Sequence, residues 1–91
     1  SEDKQLDGML EEILPRTTHF ISTQADHPRA MNPDSLEERA RQYACTTESI
    51  PDVAQALKRA LAIAGTDHLV VVTGSIFVAA SARIAWFEIN W

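Results

Sequence analysis

The sequence predicts an α/β domain, a three-layer α/β/α sandwich built around a mainly parallel sheet. Three observations carry this. Apolar residues at helical spacing alternate along the chain with short β-branched runs, the pattern of parallel strands joined by helices. The run Leu69-Val70-Val71-Val72 reads as a strand buried on both faces. Thr73-Gly74-Ser75 then turns directly into an Ala-rich segment starting at Ile76, which has good helix propensity. Such a strand–turn–helix aims free N–H groups beyond the carboxyl edge of the sheet. Open α/β folds bind ligands at that edge, and unpaired N–H groups there suit a carboxylate or phosphate; a turn made for packing alone is the other reading.

The first helix is predicted from the stripe Leu6, Met9, Leu10, Ile13 and Leu14, with Asp3 as its N-cap and Pro15 as its stop. Residues 17–23 are rich in β-branched and aromatic side chains and read as a strand. Residues 24–31 have no periodicity and carry Asp26-His27-Pro28-Arg29, a loop at the carboxyl end of that strand. Asn32-Pro33 starts a second helix, with Leu36, Ala40 and Tyr43 on its apolar stripe. Glu37 and Arg41 fall one turn apart on its solvent side.

Residues 44–47 are expected to form a short strand. Ser49 with Asp52 three positions on resembles a capping box, and Pro51 suits a first helical turn. Val53, Leu57, Ala60, Leu61 and Ala64 make the face of a longer helix closed by Gly65. The last helix, from Gly74 to about Glu88, has no polar side. Trp86 is expected to fold back as core, and the rest leaves a sticky surface. The order opens on a helix with no strand to cross from, so the sheet reads as though its opening strand has been cut away. On this reading residues 1–91 are a single domain truncated at its N-terminal end.

Ninety-one residues allow one domain, near the lower size limit of a three-layer fold. The net charge of −5, with both signs interspersed, offers no basic stripe for nucleic acid. The lone Cys45 fits a reducing cytoplasm and reads as a small, half-buried apolar residue. No secretory signal opens the chain. Residues 69–87 are long enough to cross a bilayer and carry one charge, Arg83. Thr73-Gly74-Ser75 interrupts that run, so no membrane span is expected. There is no phosphate loop and no dinucleotide fingerprint. His19, His27 and His68 are scattered without metal-ligand spacing. Ser75 lacks the frame of a nucleophile elbow, so no catalytic residue is assigned.

The ordered motifs Asp3-Lys4, Leu6-Asp7-Gly8-Met9-Leu10, His27-Pro28-Arg29-Ala30 with Asn32-Pro33, Ala56-Leu57, and Asp67-His68 through Ile76-Phe77 carry a resemblance. From Asp3 to about Ala85 the chain resembles the C-terminal domain of bifunctional folylpolyglutamate synthase/dihydrofolate synthase, in the Mur ligase superfamily. The resemblance implies a Rossmann-like domain of a cytoplasmic, ATP- and Mg2+-dependent ligase. That enzyme joins L-glutamate to a pteroate or folate through an acyl phosphate. It also implies an N-terminal ATPase domain in the same polypeptide that holds ATP and Mg2+. None of these cofactors is expected in this fragment, and the fragment is not expected to be active alone.

By the same resemblance Ser75, within Thr73-Gly74-Ser75, takes the position associated with the amino-acid substrate. Arg29 in Asp26-His27-Pro28-Arg29 is similar to the arginine that grips the added amino acid's carboxylate in muramyl-peptide ligases, with a solvated surface arginine as the other reading. His27 stands where that branch has Asn, and Pro-Arg-Ala favours the folate branch. Lys4 is a further contact to substrate or to the neighbouring domain, against the plainer reading of an exposed lysine. Two alternatives stay open. One is the C-terminal domain of a muramyl-peptide ligase. The other is a non-catalytic module that docks a partner, or self-associates, through its apolar last helix.

Overall fold

Helix α1 (Glu2–Ile13) runs into a 3-10 turn at Leu14–Arg16, where Pro15 ends the α-helical ladder as its missing N–H requires. The computed structural model describes residues 2–24, 32–72 and 76–89, with backbone only at 2–5 and 76–81. Asp3 lies inside α1, so the helix starts earlier than an Asp3 cap allows. Thr17 closes the turn, its hydroxyl donating to the Ile13 carbonyl at 2.8 Å. The chain then enters strand β1 (His19–Ser22), helix α2 (Pro33–Ala40), strand β2 (Thr46–Ser49), helix α3 (Val53–Ala64) and helix α4 (Ile76–Glu88).

β1 and β2 pair in parallel, with Phe20 opposite Thr47 and Ile21 opposite Glu48. Successive side chains of a strand point to opposite faces, and the packing follows that alternation. Phe20 faces a core made by Leu10 and Leu14 with Ala40 of α2, and Leu36, Tyr43 and Cys45 pack around it. Ser22 and Thr47, on the same face, reach Pro33 and Glu37 of α2. His19 and Glu48 turn to the other face, where Glu48 meets Arg59 of α3. α4 packs on α3, burying Ala82 and Ala85. The arrangement is α1 and α2, then the sheet, then α3 and α4: the α/β class with a parallel sheet.

Besides the Asp3 cap, four sequence expectations need correction. The second strand lies at 46–49 instead of 44–47, because pairing with β1 sets its position and its polar side chains find partners on both faces. Ser49 ends that strand and donates to Asp34 at 2.7 Å, while Asp52 is itself the N-cap of α3 and accepts from the Gln55 amide at 2.9 Å, so Pro51 precedes the helix instead of lying in its first turn. Glu37 is buried, drawn against β2 by Thr47. Trp86 is 45% exposed, since α4 meets α3 through its small residues Ala82 and Ala85.

A fifth correction concerns the valine run. Residues 69–72 form no strand, and Leu69 is 87% and Val71 67% exposed. An extended segment gains stability only from a neighbouring ladder. Among the described residues β1 pairs with β2 alone, and nothing pairs with 69–72. Ile84 and Phe87 leave the apolar surface expected of α4, with the Arg83 guanidinium over the Phe87 ring. Among the described residues no helix is long and apolar enough to cross a membrane.

Candidate functional site

Parallel strands end at one edge, and here that edge is a set of main-chain anchors. The Ser22 hydroxyl donates to the Pro33 carbonyl at 2.6 Å, tying the end of β1 to the start of α2. The amide of Gln24 donates to the Pro51 carbonyl at 3.1 Å, and the Thr23 hydroxyl reaches the same oxygen at 3.0 Å. Asn32, on the far side of residues 25–31, caps α2 by accepting from the Asp34 amide at 2.8 Å. Gln24 and Asn32, which flank residues 25–31, are therefore both held beside the carboxyl edge.

The helix starts at this edge differ in what they leave free. Asn32 accepts from the Asp34 amide in the first turn of α2, and Asp52 from the Gln55 amide in the first turn of α3. Asp52 also sets a negative charge at the N-terminus of α3, which disfavours a further anion there. α4 starts at Ile76, directly after Thr73-Gly74-Ser75.

Of the residues singled out in the sequence, His27 and Arg29 lie in the 25–31 segment and Thr73, Gly74 and Ser75 in 73–75. All five are outside the described residues. Lys4 sits in the first turn of α1, its side chain likewise outside them. The described structure places the residues on either side: Gln24 and Asn32 around 25–31, and residues 69–72 and α4 around 73–75.

Two polar clusters formed by the fold went unforeseen. On one face the Glu37 carboxylate accepts from Arg41 at 2.5 and 2.6 Å and from Thr47 at 3.0 Å. The hydrogen bond from Arg41 holds the Glu37 carboxyl below its ordinary value, against burial, with Thr47 and the Arg41 charge adding to it. On the other face Glu48 bonds to His19 and to Arg59, the latter at 3.2 Å. Burial pushes the Glu48 carboxyl up, but the bonds from His19 and Arg59 outweigh it and leave it below 4.5. Carboxylates lowered in this way stay ionised and engaged, which suits fastening and not proton transfer near neutrality. Only the β1–β2 register reveals the second cluster. The i, i+4 spacing of Glu37 and Arg41 was visible, but not its burial.

Cys45 is half-buried against the core, and burial raises its thiol over a smaller lowering by its backbone hydrogen bond. A protonated thiol is a poor nucleophile. Among the described residues no three His, Cys, Asp or Glu side chains are grouped to hold a metal ion. The described residues therefore offer no grouped carboxylates to hold magnesium.

Beside β1, on the edge away from β2, an apolar cleft of about 600 Å³ opens. It is bordered by α1, β1, α3 and residues 68–72.

Residues 1–76 match the family described as "Mur ligase, glutamate ligase domain". Neither the curated proteins nor the solved structures give a match to this chain.

Proposed function

The chain belongs to the Mur ligase glutamate ligase domain family, and from that premise we propose that it serves a folate-class ligase. In this reading it is the C-terminal, glutamate-side domain of an ATP-dependent amide ligase. The family match over residues 1–76 is the observation that carries the ligase class. The folate branch is supported by His27-Pro28-Arg29-Ala30 followed by Asn32-Pro33, where His27 departs from the Asn of the muramyl-peptide pattern.

The chain's own residues divide the work as follows. Ser75 donates its hydroxyl, and the amides around Gly74 and Thr73 their N–H groups, to a glutamate carboxylate beside the N-terminus of α4. Arg29 supplies a two-pronged contact to a carboxylate, and His27 and Lys4 flank it. The anchors at Ser22, Gln24 and Asn32 support this placement, because they hold the residues on either side of the Arg29 segment at the carboxyl edge. ATP, Mg2+ and the pteroate or folate belong to an N-terminal domain of the same polypeptide, and the cytoplasm is the compartment in which a reduced Cys45 fits.

The test assays the polypeptide that carries this chain for ATP-dependent incorporation of labelled L-glutamate. Dihydropteroate, tetrahydrofolate and a UDP-linked muramyl peptide are offered separately as acceptors. Glutamate transfer to either pterin acceptor is expected. Transfer of an amino acid to the muramyl acceptor alone moves the domain to the other branch, and no ligation with any acceptor sinks the reading.

A further inference from the structure

Ser22 is buried as completely as Leu10 and Leu14, each 1% exposed, yet it is polar. It ends β1 on the face where Phe20 packs against the core, a place where an apolar side chain would leave no polar group to satisfy. A buried hydroxyl is costly unless it is bonded, and this one donates to the Pro33 carbonyl at 2.6 Å. The Glu48 carbonyl of β2 lies 3.3 Å from the same oxygen, and the Ile50 amide donates to the Ser22 carbonyl at 2.8 Å. One residue thus joins the end of β1 to β2 and to the start of α2.

Such a bond adds little net stability, because it replaces one that the hydroxyl makes to water in the unfolded chain. What it fixes is geometry. It joins two points eleven positions apart, and the chain between them, residues 23–32, includes Arg29. Arg29 stands four positions before Pro33, so the place of α2 limits where its side chain can reach. Gln24 and Asn32 are tied at the same edge, to Pro51 and to the Asp34 amide. Both are exposed, so water can take over their bonds, whereas Ser22 is shut away from it.

We propose that Ser22 is a positioning residue for glutamate binding, its hydroxyl holding α2 against β1 so that Arg29 meets the substrate carboxylate. The proposal rests on the assignment of Arg29 to that carboxylate, and adds the buried group on which Arg29 depends. Ser22 itself touches no substrate. Without its hydroxyl the Pro33 carbonyl stays in the helix but loses its tie to the strand, and α2 is free to shift against the sheet. A two-pronged arginine contact tolerates little displacement, since a misplacement of about 1 Å is already enough to weaken it strongly.

The test measures glutamate and ATP kinetics of the polypeptide that carries this chain, with the acceptor it uses among those named above. Ser22→Ala is expected to raise the glutamate KM about tenfold, with turnover at saturating glutamate and the KM for ATP nearly unchanged. Ser22→Cys fills the same space with a much weaker donor, so it should behave alike, and it carries the test alone if the alanine variant does not fold. In an Arg29→Ala background the Ser22 substitution should add almost nothing, because residues that act through one contact are not additive. The proposal alone falls if Arg29→Ala raises the glutamate KM and neither Ser22 variant does. It also falls if the two effects multiply, if both KM values rise together, or if Ser22→Cys behaves as wild type. Each of those results would make Ser22 a packing residue. An unchanged glutamate KM in Arg29→Ala removes the Arg29 reading first, and this proposal with it.

Discussion

His19 and Glu48 are joined by a hydrogen bond across the parallel pair, although the register sets Ile21, and not His19, opposite Glu48. The contact is diagonal, and Arg59 of α3 completes it from the helix layer at 3.2 Å. A strand, its neighbour and the covering helix are thereby fastened at one carboxylate. Its ionisation should report on folding.

Glu48 is held below its ordinary 4.5 in the folded chain. A carboxyl lowered by folding contributes stability above its unfolded value, and that contribution is lost as pH falls through the folded value. Urea midpoints measured from about pH 7 to about pH 3 should fall steeply in the acid range, below the ordinary carboxylate value. Glu48→Gln should be less stable at neutral pH and show a shallower acid slope. The slope that remains belongs in part to Glu37, which is lowered in the same sense. Parallel curves for the two proteins would remove Glu48 from the pH dependence.

Core and rim should separate cleanly under truncation. Leu10 is 1% exposed at the centre of the α1–α2–β1 core, so Leu10→Ala should cost about 2–5 kcal/mol. Leu69 is 87% exposed, and Leu69→Ala should stay within about 0.5 kcal/mol in the 91-residue chain. Denaturant titration of the two variants decides it. A loss at Leu69 comparable to that at Leu10 would mean that the valine run is packed in solution.

Helix ends give smaller effects. Gly65 closes α3 at φ 58° and ψ −138°, a conformation that side chains strain to reach, with open space around it. Gly65→Ala should therefore cost roughly 1–2 kcal/mol from backbone strain alone. Asn32→Ala and Asp52→Ala should each cost about 1 kcal/mol by leaving the Asp34 and Gln55 amides without their caps. Thermal denaturation measures all three, and an unchanged Tm for Asp52→Ala would show that Gln55 finds another acceptor.

What was legible in the sequence was local. Leu6 through Leu14, Asn32-Pro33 and Gly65 each act within one helix, and each sits where its spacing or chemistry puts it. The parallel order was also legible, because helices and β-branched segments alternate. What depended on partners far along the chain was not. His19 and Glu48 are 29 residues apart and meet only once a register is chosen. Ser49 looked like a cap because its neighbours suit one, yet Asp34, brought up by α2, takes its hydroxyl. The valines of 69–72 have strand chemistry, but a strand also needs an adjacent edge, and that requirement is not written in the valines themselves.

The role proposed for Ser75 is open to a kinetic test that separates binding from folding. In the polypeptide that carries this chain, Ser75→Ala should raise the KM for glutamate tenfold or more, since one hydrogen bond to a charged group contributes about 1.5–3 kcal/mol. Turnover at saturating glutamate should change little, because a contact equally present in ground and transition states alters KM and spares kcat. Arg29→Lys keeps the charge but loses the two-pronged geometry, so it should raise the same KM. The KM for ATP serves as the internal control, since the nucleotide is assigned to another domain. If both variants leave the glutamate KM alone and raise that for ATP, Ser75 and Arg29 serve the nucleotide or the domain junction, and the glutamate site lies elsewhere.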